Sequence, residues 1–213
     1  RCNQRVCEPI HYEQRETPLN LLADRLDLIA LIQAWGIYRD QGLWDRLATT
    51  FHPDGHIKVS WFEGRFTDFI TACQKGLKPV GPRGKHLIGL PYLDIRGDRA
   101  VAETSIQILG RVVVAGVPAD NISYARFLDR IERRDGVWRI ADRVAIYEKD
   151  RIDPVLPSPA FDAFMNTTDF SAIPEPYRYL GYRLQMAGRT LCQGILCDGA
   201  PDAVAAMASA QAW

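Results

Sequence analysis

Residues 121–150, "NISYARFLDRIERRDGVWRIADRVAIYEKD", hold two alternating runs on either side of Asp135-Gly136. Asp-Gly tolerates the positive φ angles of a two-residue turn, so the stretch predicts a long antiparallel hairpin. Upstream, "RAVAETSIQILGRVVV" (99–114) and "KHLIGLPYLDI" (85–95) also read as strands, separated by the turn "RGD" (96–98). Gly89 and Pro91 predict a bulge or sharp bend in the earlier of the two.

Ahead of the Gly/Pro-rich "KPVGPRG" (78–84) the texture is mainly helical. "TPLNLLADRLDLIALIQAWGIYRDQG" (17–42) predicts a long helix with Thr17 as N-cap, Pro18 in the first turn and Gly42 as the stop. A short amphipathic segment, "LWDRLATTF", leads to the turn "HPDG" (52–55), the strand "HIKVSWFEG" (56–64) and the helix "FTDFITACQKGL" (66–77). Helices first and antiparallel strands after predict an α+β fold: a curved antiparallel sheet wrapped around about three N-terminal helices. Residues 17–150 form that domain. Residues 1–16 read as an arm, disordered or added in cloning. Residues 151–213 are a Pro-rich C-terminal extension ending in two short helices, expected to pack on the domain or on a partner subunit.

The bulk chemistry excludes several classes. Basic and acidic residues balance at 26 each, so no nucleic-acid or membrane-surface footprint is expected. No apolar run approaches the roughly 18 residues of a membrane span, and no secretory or lipidation signal is evident, which predicts a cytoplasmic protein. The 5 cysteines are odd in number and lack C-x-x-C spacing, as expected of reduced thiols. No P-loop, G-x-G-x-x-G or G-x-S-x-G occurs, so no nucleotide cofactor or serine-hydrolase chemistry is expected.

Four positions bear chemistry. Asp40 lies five helical turns after Leu22, at the end of a stripe that includes Leu26, Ile29 and Ile37; buried there, it would suit acid/base work, and solvated it would be a frayed helix end. His86 alternates with Ile88, Leu90 and Tyr92 on an apolar strand face, either as a packed core residue or as a catalytic base. Asp142 interrupts the row Trp138, Ile140, Val144, Ile146 and needs either an arginine partner or a function. Asp129 poses the same question among Ala125, Phe127 and Ile131. His52-x-Asp54-x-His56 has metal-ligand spacing, but Pro53 and Gly55 predict a surface turn and no metal site.

Taken together, "RLDLIALIQAWGIYRDQGLWDRLATTFHPDG", "GKHLIGL", "IRGDRAVAETS" and the 121–150 hairpin resemble, in order, the SnoaL-like branch of the nuclear transport factor 2-like superfamily. The resemblance implies a cone-shaped α+β barrel with a deep apolar pocket. Members include polyketide cyclases, dehydratases, ketosteroid isomerases and epoxide hydrolases, as well as non-catalytic modules, so the fold does not fix the function. In dehydratase-like members an Asp near the end of the first helix and a His on the strand after the third helix line the pocket, and Asp40 and His86 match them. A family tyrosine five residues before that Asp is replaced by Trp35, with Tyr38 on a different azimuth. Many relatives carry His at the position of Asp142, an acid that could orient His86.

The expected function is a cofactor-independent lyase or isomerase acting on a small, hydrophobic, cyclic substrate. His86 is the base, with Asp40 or Asp142 orienting it. That dyad or Tyr38 is the acid, and Trp35, Trp61 and Phe127 are pocket walls. A non-catalytic binding or dimerisation module, or the small subunit of a ring-hydroxylating oxygenase, is the alternative. A homodimer or higher homo-oligomer is expected, because the open face of such cones needs covering.

Overall fold

The computed structural model describes residues 19–76 and 84–213; the expected arm, the Thr17–Pro18 cap and most of the 78–84 linker lie outside them. The 121–150 hairpin is present and longer than its sequence signal. Strands β1 (Phe51–Val59), β2 (Phe62–Arg65), β3 (Lys85–Ile88), β4 (Tyr92–Arg96), β5 (Arg99–Val114), β6 (Val117–Arg134), β7 (Val137–Pro154) and β8 (Leu196–Cys197) form one sheet. Its order is β2-β1-β7-β6-β5-β3, with β4 also on β5 and β8 also on β7. Asp135 (φ 52°) and Gly136 (φ 77°) make the β6–β7 turn, and Ala115 (φ 50°) and Gly116 (φ 77°) make the β5–β6 turn. Both turns have the two positive φ angles whose twist matches paired strands.

The α+β architecture is as expected: helices pack on an open, curved sheet. The sheet is mixed, however, because β1 and β8 both run parallel to β7. Alternation along a strand reports its faces but not the direction of a distant neighbour, so this pairing was invisible in the sequence. "HPDG" is also not a free turn. It lies within β1 as a bulge, where the register jumps from Phe51↔Ile140 to His56↔Asp142. A Cβ on Gly55 would come within 2.9 Å of the His52 carbonyl oxygen, so the bulge closes only around glycine.

Helices α1 (Leu19–Gln41), α2 (Trp44–Ala48) and α3 (Phe66–Gly76) lie on the concave face. Gly42 ends α1 with φ 71°. The buried face of α1 is Leu28, Ile32, Trp35 and Gly36, not the expected stripe: Leu22, Leu26 and Ile37 are exposed. A helix that is apolar nearly all round carries no directional signal of its own, so the sheet selects its inner face. Trp35 meets Phe69 of α3 and Phe127 of β6 in the core, with ring centroids 6.4 Å and 5.1 Å away. No helix of the described residues is long and apolar enough to cross a membrane.

The extension is more ordered than its prolines suggested. Ser158 caps α4 (Pro159–Thr167), accepting the Phe161 N–H, with Pro159 at the first helical position. Phe161 packs on Val114, Ala119 and Ile152. Helix α5 (Arg178–Met186) contacts β6 and β7, and α6 (Pro201–Ala212) sets Ala203 and Ala210 on Leu128 and Ile146, covering the outer face of the sheet.

At the heart of the sheet, Asp129 of β6 takes two hydrogen bonds from the Arg143 guanidinium of β7, at 2.6 Å each, and both side chains are fully buried. Losing one partner strands a charge in the core. Asp129→Ala should therefore lower the unfolding free energy by about 3–5 kcal/mol in urea titrations; a loss below about 1 kcal/mol would show that the pair is not buried as described.

A second carboxylate ties the extension to the sheet. Asp150 of β7 accepts the Leu180 N–H of α5 at 2.6 Å, and burial pushes its pKa up to about 6. The folded chain then takes up this proton at a higher pH than the unfolded chain does, so Asp150's contribution to stability grows as pH falls from about 7 towards 4. The difference in Tm between wild type and Asp150→Asn should rise across that window in the wild type's favour. A flat difference would contradict the assignment.

Candidate functional site

The site begins at the seam between α1 and β3. Three residues on one row of α1 make it: Gln33, Gly36 and Asp40, spaced i, i+3 and i+7. The Gln33 amide donates to the carbonyls of Ile88 and Gly89, at 3.0 Å and 2.8 Å. Gly36 lets the backbones close up, since a Cβ there would lie 2.7 Å from the Ile88 side chain. One turn on, Asp40 accepts the backbone N–H of His86 through Oδ2 and meets His86 Nδ1 through Oδ1, both at 2.6 Å.

This clamp fixes the imidazole. A carboxylate can only accept, so Nδ1 carries the proton and the lone pair sits on Nε2. Nε2 has no protein partner among the described residues. Burial lowers the His86 pKa below its ordinary 6.5, and the charges of Arg39 and Arg183 lower it further, while the bond to Asp40 works the other way. Trp35 holds the ring edge-on, at a centroid distance of 5.4 Å. The result is a neutral, oriented base.

His86 and Asp40 line a cavity of ≈ 330 Å³, within the range of small-molecule sites. Trp35, Trp61 and Phe127 are in its wall, and so are Phe69 and Tyr147. The wall is less apolar than expected, because Arg39, Arg111, Arg183 and Arg189 also line it. Behind the aromatic wall, the Arg143 guanidinium stacks 4.7 Å from the Trp35 ring and 4.1 Å from Phe127.

Two expected residues lie elsewhere. Tyr38 is not in the cavity wall; it packs partly buried against the core, with Arg46 over its ring at 5.9 Å. Asp142 does not reach His86. It faces His56 at 3.7 Å and Arg130 at 4.0 Å. The cause is a bulge: β7 advances from Ile140 to Asp142 while β6 steps from Ile131 to Arg130, skipping Ala141. Beyond that point the face inverts, so Arg143, Ala145 and Tyr147 turn inward in place of Asp142 and Val144. His52, whose Nε2 lies 3.0 Å from the Glu132 carbonyl, and Asp54, paired with Arg134, do not converge with His56.

The bulge also hid Tyr147. Its hydroxyl accepts the Ser60 N–H at 3.0 Å, and burial raises its pKa, so it stays protonated. Arg183, Leu184, Ala187 and Arg189 come from the extension, whose part in the cavity carried no motif.

Comparison with known proteins agrees with the fold. The model of the SnoaL-like domain matches residues 20–144. Pea pathogenicity protein 2 of Fusarium vanettenii is 30% identical over 172 residues, covering 78% of this chain and 71% of that protein. Among solved structures, a hexachlorocyclohexane dehydrochlorinase (LinA, type 2) superposes with a TM-score of 0.55 at 19% identity, covering 67% of this chain and 99% of that one. A scytalone dehydratase-like protein from Novosphingobium aromaticivorans gives a TM-score of 0.50 at 13% identity, covering 64% and 96%. With the domain match spanning more than half of its length and the helices and sheet arranged as in these neighbours, the chain belongs to the SnoaL-like family.

Proposed function

We propose that the protein is a dehydratase-like lyase or isomerase that acts on a small cyclic substrate by general acid/base catalysis. The observation that carries this reading is the double contact of Asp40 with His86, which leaves Nε2 as a basic nitrogen beside a cavity of molecular size. In the reaction, Nε2 removes a proton from a carbon next to a carbonyl or a leaving group. Asp40 stabilises the imidazolium that forms, as a carboxylate behind a histidine does in other acid/base sites. Tyr147, which lines the cavity where Tyr38 does not, would donate a hydrogen bond to the oxygen that gains charge or departs. Each of these groups is a side chain of the protein itself. The dehydrochlorinase and scytalone dehydratase-like neighbours support an elimination, although at their level of identity they speak for the fold.

A panel of β-hydroxylated cyclic ketones and acids, followed by mass spectrometry for loss of water, provides the assay. His86→Ala and Asp40→Asn should each lower turnover by about 10²–10⁴-fold while leaving the fold intact by circular dichroism. Full activity in both variants would refute the reading.

The pH profile is a separate test. A base with a lowered pKa stays unprotonated further into acid, so the acid limb of kcat/KM should have its midpoint below 6.5. A midpoint above 6.5 would mean that the charged imidazolium is favoured in the site and would contradict the assignment.

A further inference from the structure

The charge balance of the cavity points to more than a hydrophobic ligand. Four arginines line it, and Asp40 is its only carboxylate among the described residues. Asp40 is committed to His86. Arg111 is matched outside by a two-pronged pair with Asp120. The other three have no such match: Arg39 comes no closer than 3.9 Å to Asp40, Arg189 donates to the Ala72 carbonyl and lies over Trp61, and Arg183 has no ion pair within 4.0 Å among the described residues.

All three line the same cavity. Arg39 and Arg183 both act electrostatically on His86 and on each other, and Arg39 and Arg189 both act on Cys73. The chain also makes room for Arg183. Its Nη1 lies 2.7 Å from where a Cβ on Gly110 would stand, so β5 carries glycine where the guanidinium crosses it. The Nε of Arg183 is buried with no hydrogen-bond partner among the described residues. Desolvation and the neighbouring Arg39 lower the Arg183 pKa, and the Asp150 carboxylate offsets this only in part. Guanidinium groups recognise carboxylates through paired, charge-assisted hydrogen bonds, and a recess with low-dielectric walls strengthens that attraction.

We propose that the cavity takes a carboxylate-bearing ring compound, whose carboxylate is held by Arg39, Arg183 and Arg189 while its ring lies among Trp35, Trp61 and Phe127. The proposal rests on the acid/base reading only for the direction the ring faces, since the anion site itself needs no turnover. Two of its three arginines are supplied by the extension, so the C-terminal segment would set specificity for the acid/base pair of the domain.

The test compares 2-naphthoate with its neutral isostere 2-naphthamide, by quenching of tryptophan fluorescence in low-salt, phosphate-free buffer at pH 7.5. The acid should bind about tenfold or more tightly than the amide. Arg183→Gln should bring the ratio to about threefold or less, Arg183→Lys should keep part of it, and Tyr38→Phe, outside the cavity wall, should leave it unchanged. Equal affinities in the wild type, or no binding of either probe, would overturn the proposal whatever the variants do. So would a ratio that survives in Arg183→Gln, Arg39→Gln and Arg189→Gln alike. An inactive His86→Ala with no wild-type preference would sink the anion site alone. A clear preference with fully active His86→Ala would sink the acid/base reading alone.

Discussion

The structure turns on one carboxylate gripping one histidine twice. Asp40 holds the backbone and the ring of His86 at 2.6 Å, and everything near it serves to bring α1 and β3 close enough for that grip. Gln33 fastens the end of β3 to the helix, and Gly36 removes the side chain that would hold the two apart. Asp40 thus both ties a helix to the sheet and sets the tautomer of a base. Helix docking and ring orientation share the same two hydrogen bonds.

Around this seam the molecule separates its charges by depth. The Asp129–Arg143 pair is sealed in the core, where its geometry offsets the desolvation of two ions and the guanidinium doubles as a stacking surface for Trp35 and Phe127. That cation backs the aromatic wall of the cavity. The arginines of the cavity itself are less completely matched, and the charges of Arg39 and Arg183 add to the burial that lowers the His86 pKa. The imidazole therefore sits near two positive charges and is held by a single negative one.

Much of this was legible in the residues. The Asp135-Gly136 hairpin, the long first helix stopped by Gly42, and the bend at Gly89 and Pro91 follow from local backbone chemistry, and the structure places each where the pattern predicts. Asp40 and His86 emerged as polar residues set among apolar ones, and they do meet. What stayed hidden depends on non-local geometry. The bulge at Ala141 inverts the face of β7, which removed Asp142 from the site, brought in Tyr147 and set Arg143 behind its aromatic wall. The parallel β1–β7 pairing and the arginines supplied by the extension leave no periodic trace. The inner face of α1 could not be read from a helix that is apolar on nearly every side.

The claim on which the rest depends is that Asp40 holds His86 as the neutral Nδ1–H tautomer with Nε2 available. Nitrogen-15 NMR of the His86 ring, in wild type and in Asp40→Asn between pH 6.5 and 8, tests it directly. The account predicts a protonated Nδ1 and an unprotonated Nε2 across that range in the wild type, with tautomers mixing once the carboxylate is gone. An Nε2–H tautomer in the wild type, or an imidazolium persisting at pH 7, would contradict it.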